Sequence, residues 1–154
     1  MTITATTRRT FIAAPIIGLA LLGAGTGLAT AGTLPTTGST IAMTITNNTN
    51  QTMTLTGDYT DTGDFIAAPR DTLAPGASEI VTASTTSQGG LTAVVNYGLP
   101  DTNTIVTFQA NNNPNGSSTD GTAINGTHAR RFGYTSTMDT EYPAMNAGFT
   151  VYTA

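Results

Sequence analysis

Ile41–Thr56 reads IAMTITNNTNQTMTLT. Ile41, Met43 and Ile45 alternate with Ala42, Thr44 and Thr46, and Met53 and Leu55 alternate with Thr52, Thr54 and Thr56. A period of two puts every apolar side chain on one face of an extended strand and every polar one on the other. The link Asn47-Asn48-Thr49-Asn50 has the composition of a turn. Two half-buried strands across a short polar turn predict a β-hairpin with one buried face.

The residues that follow carry the same pattern in weaker form. Gly57–Asp64 reads as a turn or loop, and Phe65–Ala68 as a short strand stopped by Pro69. A β-turn is expected around Pro75-Gly76. Glu79–Thr85 and Leu91–Tyr97 are strand-like, and Gln88-Gly89-Gly90 between them suits a second hairpin. Leu99-Pro100-Asp101 turns the backbone into another strand, Asn103–Ala110. Asn111–Gly121 (NNNPNGSSTDG) offers almost nothing to bury and predicts an exposed loop. Thr122–Thr127, Arg131–Met138 and Gly148–Tyr152 complete the strand candidates. No amphipathic helical run and no internal repeat occur beyond residue 40. The expectation is an all-β fold, an antiparallel β-sandwich of about seven or eight short strands preceded by an N-terminal signal helix.

Composition agrees. Threonine, which is β-branched and suits a half-exposed pleated surface, makes up about a fifth of the sequence. Cysteine is absent, so disulfides and thiol chemistry are excluded. Packing and sheet hydrogen bonds must hold the fold.

The N-terminus has a different character. Arg8 and Arg9 precede an apolar run from Phe11 to Leu22, and Ala29-Thr30-Ala31 is an A-x-A cleavage pattern. This is the layout of a secretory signal, and Thr7-Arg8-Arg9-Thr10-Phe11-Ile12 resembles the twin-arginine export signal. Arg8, Arg9 and Phe11 are the export candidates; Ala29 and Ala31 mark the cleavage site. The alternatives are an ordinary secretory signal and a retained anchor, although the strongly apolar part is shorter than the ~20 residues of a spanning helix. The expected organisation is a signal peptide over 1–31, a linker over 32–40 and one domain over 41–154. The product is expected outside the cell or on its surface, with no transmembrane segment after cleavage.

Beyond residue 31 only Arg70, Arg130 and Arg131 oppose nine acids, a net charge of −6. A domain this acidic does not hold a phosphate backbone, which excludes nucleic acid as a partner, and it gains nothing from bulk attraction to anionic lipid.

Chemistry-bearing residues are few. His128 is the only histidine. No G-x-S-x-G supplies a nucleophile for it, and one histidine without cysteine cannot build a zinc or copper site. Asp139 and Glu141 lack the cleft that a glycosidase carboxylate pair needs. No enzymatic activity and no cofactor are expected. Asp58, Asp61 and Asp64 lie three apart in a Gly-containing stretch, a usable though non-EF-hand calcium spacing. The aromatics Tyr97, Phe132, Tyr134, Tyr142, Phe149 and Tyr152 crowd the later part of the sequence. Arg130, Arg131, Phe132, Tyr134 and Tyr142 form the candidate binding surface, for which membrane lipid and surface glycan are the partner classes. The alternatives are a structural or adhesive cell-envelope protein that self-associates through sheet edges and a small carbohydrate-binding module using Tyr134 and Tyr142.

The order of features over Ile41–Phe108 resembles a family. A strand ending in Asn-Asn-Thr leads to a Thr/Leu strand, then to Gly63-Asp64-Phe65 and to Pro69 with Leu73-Ala74-Pro75-Gly76. A strand, a Gly-Gly break and a strand ending in Tyr97 follow. This is similar to the aegerolysins and related small bacterial crystal proteins. The resemblance implies a compact β-sandwich that binds membrane lipid, in some members beside a pore-forming partner. It transfers no individual lipid-contact residue to this protein.

Overall fold

A computed structural model describes residues 38–154. The signal helix, the cleavage site and the export residues Arg8, Arg9 and Phe11 lie outside the described residues, as do Ala29 and Ala31. Eleven strands run in sequence order: β1 (Ser39–Asn48), β2 (Met53–Thr60), β3 (Asp64–Ala67), β4 (Thr72–Leu73), β5 (Ser78–Thr85), β6 (Leu91–Leu99), β7 (Thr104–Asn113), β8 (Gly116–Ser118), β9 (Ala123–Gly126), β10 (Phe132–Thr140) and β11 (Ala144–Thr153). Short 3-10 turns occupy Pro100–Thr102 and Ala129–Arg131. One sheet has the order β10-β11-β1-β5-β3; the other runs β4-β2-β6-β7-β8, with β9 also on β7. The all-β sandwich is as the alternation predicts. The strands beyond the expected number are short edge pieces that a periodicity of two cannot resolve. All pairings are antiparallel except β1 with β11, which run side by side in parallel.

The decisive stretch is not a hairpin. β1 pairs with β11 and β5, whereas β2 pairs with β4 and β6 in the opposite sheet. Asn47–Gln51 is therefore a crossover from one layer to the other. Alternation states that a face is buried; two strands facing each other across a core satisfy it as well as two strands side by side. What holds the crossover is the Asn47 side chain, which is fully buried. Its Nδ2 donates to the Gln51 and Leu73 carbonyl oxygens, both at 2.8 Å. Its Oδ1 accepts from the Thr49 amide (3.0 Å) and the Thr49 hydroxyl (2.7 Å).

The expected second hairpin fails in the same way: β5 and β6 lie in different sheets, joined by the Gln88-Gly89-Gly90 link. Between β6 and β7 there is a hairpin, in full register from Leu91–Asn112 to Leu99–Thr104. Among the described residues, two expected loops are strand in part. β2 continues to Thr60 past a bulge at Thr56, and β1 begins at Ser39, two residues before the alternation. Asn111–Gly121 is an exposed loop only in part: β7 extends to Asn113 and turns into β8, and Asn112 is buried, while Pro114–Gly116 and Asp120–Gly121 are exposed. Asn112 tolerates burial because its amide is bonded throughout. Its Nδ2 reaches Ser39 Oγ (2.9 Å) and the carbonyls of Thr40 (2.8 Å) and Pro143 (3.0 Å). Its Oδ1 accepts from Ser117 Oγ at 2.8 Å.

These two asparagines name the ends of the sandwich. The Asn47 end holds the turns at Ala74–Ala77, Pro100–Thr102 and Ala129–Arg131. The Asn112 end holds the β2–β3 and β5–β6 links and the Glu141–Pro143 turn. Between them lies the core. Ile41, Met43, Ile45, Val81, Met145, Phe149 and Val151 face Met53, Val95, Leu99, Val106 and Phe108. Phe108 meets Phe149 across the layers at 5.5 Å between ring centres, a tilted aromatic contact of the favourable kind.

Among the described residues one charged side chain is inside. Glu79 is buried, its Oε2 accepting from the Arg70 amide (2.9 Å). The buried Tyr97 hydroxyl forks its proton between Glu79 Oε1 (2.6 Å) and the Arg70 carbonyl (2.7 Å). Burial, then the Glu79 hydrogen bond and its negative charge, hold the Tyr97 phenol far above the ordinary tyrosine range. The unfolded phenol ionises near pH ~10. Tyr97 therefore contributes stability that is complete below about pH 10 and falls as pH rises above it. Urea melts from neutral to strongly alkaline pH should show this loss. Tyr97→Phe should lower stability at pH 7 by about 2 kcal/mol and flatten the alkaline slope.

Candidate functional site

The sandwich leaves a hollow of about 340 Å³ on the outer face of the second sheet, at the Asn47 end. Its origin is local. Thr54, Gly98 and Ile105 form one row across β2, β6 and β7, and Gly98 supplies no side chain to the middle of that row. A Cβ there would come within 3.1 Å of the Thr56 methyl group. Threonines 54, 56 and 104, Asn103, Leu99 and Pro100 complete the walls, with no ionisable side chain among them. Ile105 stands 45% exposed at the rim.

The arginine turn is tied to this hollow. Asn103, in a left-handed backbone conformation (φ 46°), accepts at its carbonyl from the Thr127 amide (3.2 Å). Its side-chain Nδ2 donates to Thr127 Oγ1 (3.3 Å). Gly126 (φ 128°) packs on the same carbonyl so closely that a Cβ would collide with it. Three residues on, the 3-10 turn Ala129–Arg131 presents Arg130 and Arg131, both exposed, after the exposed His128. The Asn47 end thus combines an uncharged hollow, an apolar rim at Ile105, two cations and the exposed Asp101 of the Pro100–Thr102 turn.

The structure divides the sequence-expected binding surface. Arg130, Arg131 and Tyr134 lie towards the Asn47 end. Phe132 is not a surface residue: at 7% exposure it belongs to the core, because the strand that begins there turns it inward. Tyr142 sits in the turn beyond the other end of β10, so the length of a nine-residue strand separates it from the arginines. It is half-buried, its amide donating to Ser117 Oγ and its hydroxyl reaching the Gln88 carbonyl at 3.4 Å. Tyr134 keeps 39% exposure while its hydroxyl donates to the Thr122 carbonyl. Tyr134 and Tyr142 cannot share one sugar.

The three aspartates are placed along the β2–β3 link. Asp58 lies within β2 and Asp64 opens β3 in the other sheet. Asp61 is occupied structurally, with Oδ1 accepting from the Thr92 amide at 2.6 Å. Among the described residues no three His, Cys, Asp or Glu side chains are grouped to hold a metal ion. Nor is any described helix long and apolar enough to cross a membrane.

No family model matches the sequence, and no curated protein does. Among solved structures the chain is similar to the crystal structure of the lipid binding protein Nakanori, with a TM-score of 0.62 and 11% identity. The likeness covers 74% of this chain and 71% of that one. It shows a shared β-sandwich fold.

Proposed function

We propose that this protein is a secreted, non-enzymatic lipid-binding module that docks through its Asn47 end. The observation that carries the reading is the joining, at that end, of the uncharged hollow to the Arg130-Arg131 turn by way of Asn103 and Thr127. The fold it shares with a lipid-binding protein supports the same reading. So does the resemblance of Ile41–Phe108 to the aegerolysins, which extends it to a toxin-associated role. In this reading Ile105 and Pro100 enter the headgroup layer, and the arginines meet the lipid phosphate. The net charge of −6 beyond residue 31 repels an anionic surface, so the fitting target is a zwitterionic phospholipid.

Vesicle flotation tests this. The protein is expected to float with phosphatidylcholine vesicles, with no gain from added phosphatidylserine. Ile105→Ser should weaken binding about five- to tenfold by withdrawing apolar surface from the interface, and Arg130→Gln by a similar factor. Failure to bind any lipid class would sink the proposal.

A further inference from the structure

The edge strands of the two sheets are short with one exception: β3 has four residues, β4 two, covering only Met53 and Thr54 of β2, β8 three and β9 four. The exception is β10, nine residues long, paired only with β11 among the described strands and exposed from Tyr134 to Thr140. Natural edge strands of that length are normally protected by lysine, proline or inward charge. Phe132–Thr140 (FGYTSTMDT) contains no lysine and no proline, and its single charge is Asp139 near the end. The bulge in its pairing with β11 also falls at Asp139, which leaves Phe132–Met138 regular.

The residues bracketing this edge are self-complementary. Arg130 and Arg131 precede it; Asp139 and Glu141 close it. Antiparallel pairing of the strand with its own copy sets head against tail. We propose that two copies of this chain pair antiparallel through β10 about a two-fold axis at Ser136, joining two five-stranded sheets into one of ten strands.

That register brings the Arg131 turn, just before β10, alongside the Asp139–Glu141 end of the second copy, once on each side of the axis, with the bulge at Asp139 displacing the pairing beyond Met138. It also sets Tyr134 opposite the second copy's Met138. These are two of the few large apolar side chains left exposed, at 39% and 36%, and they lie on the same face of β10. An aromatic ring against a thioether is a favourable cross-strand pair. A two-fold interface of this kind closes on itself, so it yields a dimer and not a fibre.

The pairing does not rest on the lipid proposal, although Arg131 enters both, and it is measured without lipid. Sedimentation velocity of the full chain over a range of concentrations should show a monomer–dimer equilibrium that weakens with added salt. Arg131→Glu and Glu141→Arg, each alone, bring like charges together at both ends of the seam. Each should raise the dimer dissociation constant about tenfold or more. The double variant R131E/E141R exchanges the signs and should restore it to within about threefold. Circular dichroism confirms that each variant is folded. A protein that stays monomeric at every concentration overturns the proposal. So does association indifferent to the single reversals, as expected if the apolar Phe11–Leu22 run drives it. Loss in the single variants without recovery in the double overturns it too.

Discussion

Replacing Asn47 by leucine is expected to remove about 4 kcal/mol of folding stability. Leucine has the same branching and heavy-atom count and is the bulkier residue, so a cavity is not the cause. The cost lies in the groups left behind. The Leu73 carbonyl and the Thr49 amide and hydroxyl meet at Asn47 in a place closed to water, and the Gln51 carbonyl joins them from a partly buried position. An orphaned buried donor or acceptor costs about 1–3 kcal/mol. Four partners are lost, and partial rebonding brings the total below their sum. Asn47→Asp separates the two halves of the contact. It keeps an acceptor for Thr49 and points a carboxylate at the Gln51 and Leu73 carbonyls, so it should be at least as damaging as leucine. Urea denaturation at pH 7 reads both, and a midpoint shift at unchanged slope identifies a loss of native-state stability.

Asn47 also marks where the sequence stops being legible. Ile41, Met43 and Ile45 announce a strand with one buried face, and the buried face is there. Continuing the same parity by one step reaches Asn47, which is equally buried. The same extension from Val106, Phe108 and Ala110 reaches Asn112, and from Ala83 and Val81 back to Glu79. In each case the inward position is present in the period, and the polarity of the residue hides it. Burial of a polar side chain depends on partners that come from distant parts of the sequence, such as Leu73 for Asn47 or Ser39 for Asn112. Local pattern does not contain those partners. Sheet membership is hidden for a similar reason. A four-residue link suits either a hairpin or a crossover, and the choice rests on which neighbours saturate β1, here β11 and β5.

The candidate site is legible to a smaller degree. Arg130 and Arg131 stand out in any reading of so cation-poor a sequence, and they are exposed. Phe132 beside them looks like part of the same patch, but the parity of β10 sends it to the core. The hollow at Gly98 has no sequence signature. It needs Thr54 and Ile105 on either side, and those neighbours are set by pairing registers between separate strands.

Asn112→Leu should cost as much as the change at Asn47, about 4 kcal/mol, but at the other end of the molecule. Its amide bonds β7 to Ser39 and Thr40 of β1 and to the Pro143 carbonyl before β11. It also holds Ser117 of β8, whose hydroxyl in turn accepts from the Tyr142 amide. Leucine would remove a hydrogen-bond partner from four polar groups on three segments drawn from both sheets. Hydrogen exchange should localise the damage. Protection should fall at Thr40, whose amide donates to Pro143, and along β8, while Asn47 and Ala77 at the opposite end keep theirs. Asn112 binds the first residues of the ten-residue β1, and Asn47 lies near its far end. Most of the length of a strand therefore separates the two asparagines, and they share no partner, so their costs should add. A combined loss of about 8 kcal/mol equals or exceeds the whole stability of many domains of this size. Circular dichroism at 25 °C should show the double variant unfolded and each single variant folded. A double variant no less stable than either single one would mean that the two ends are not held independently.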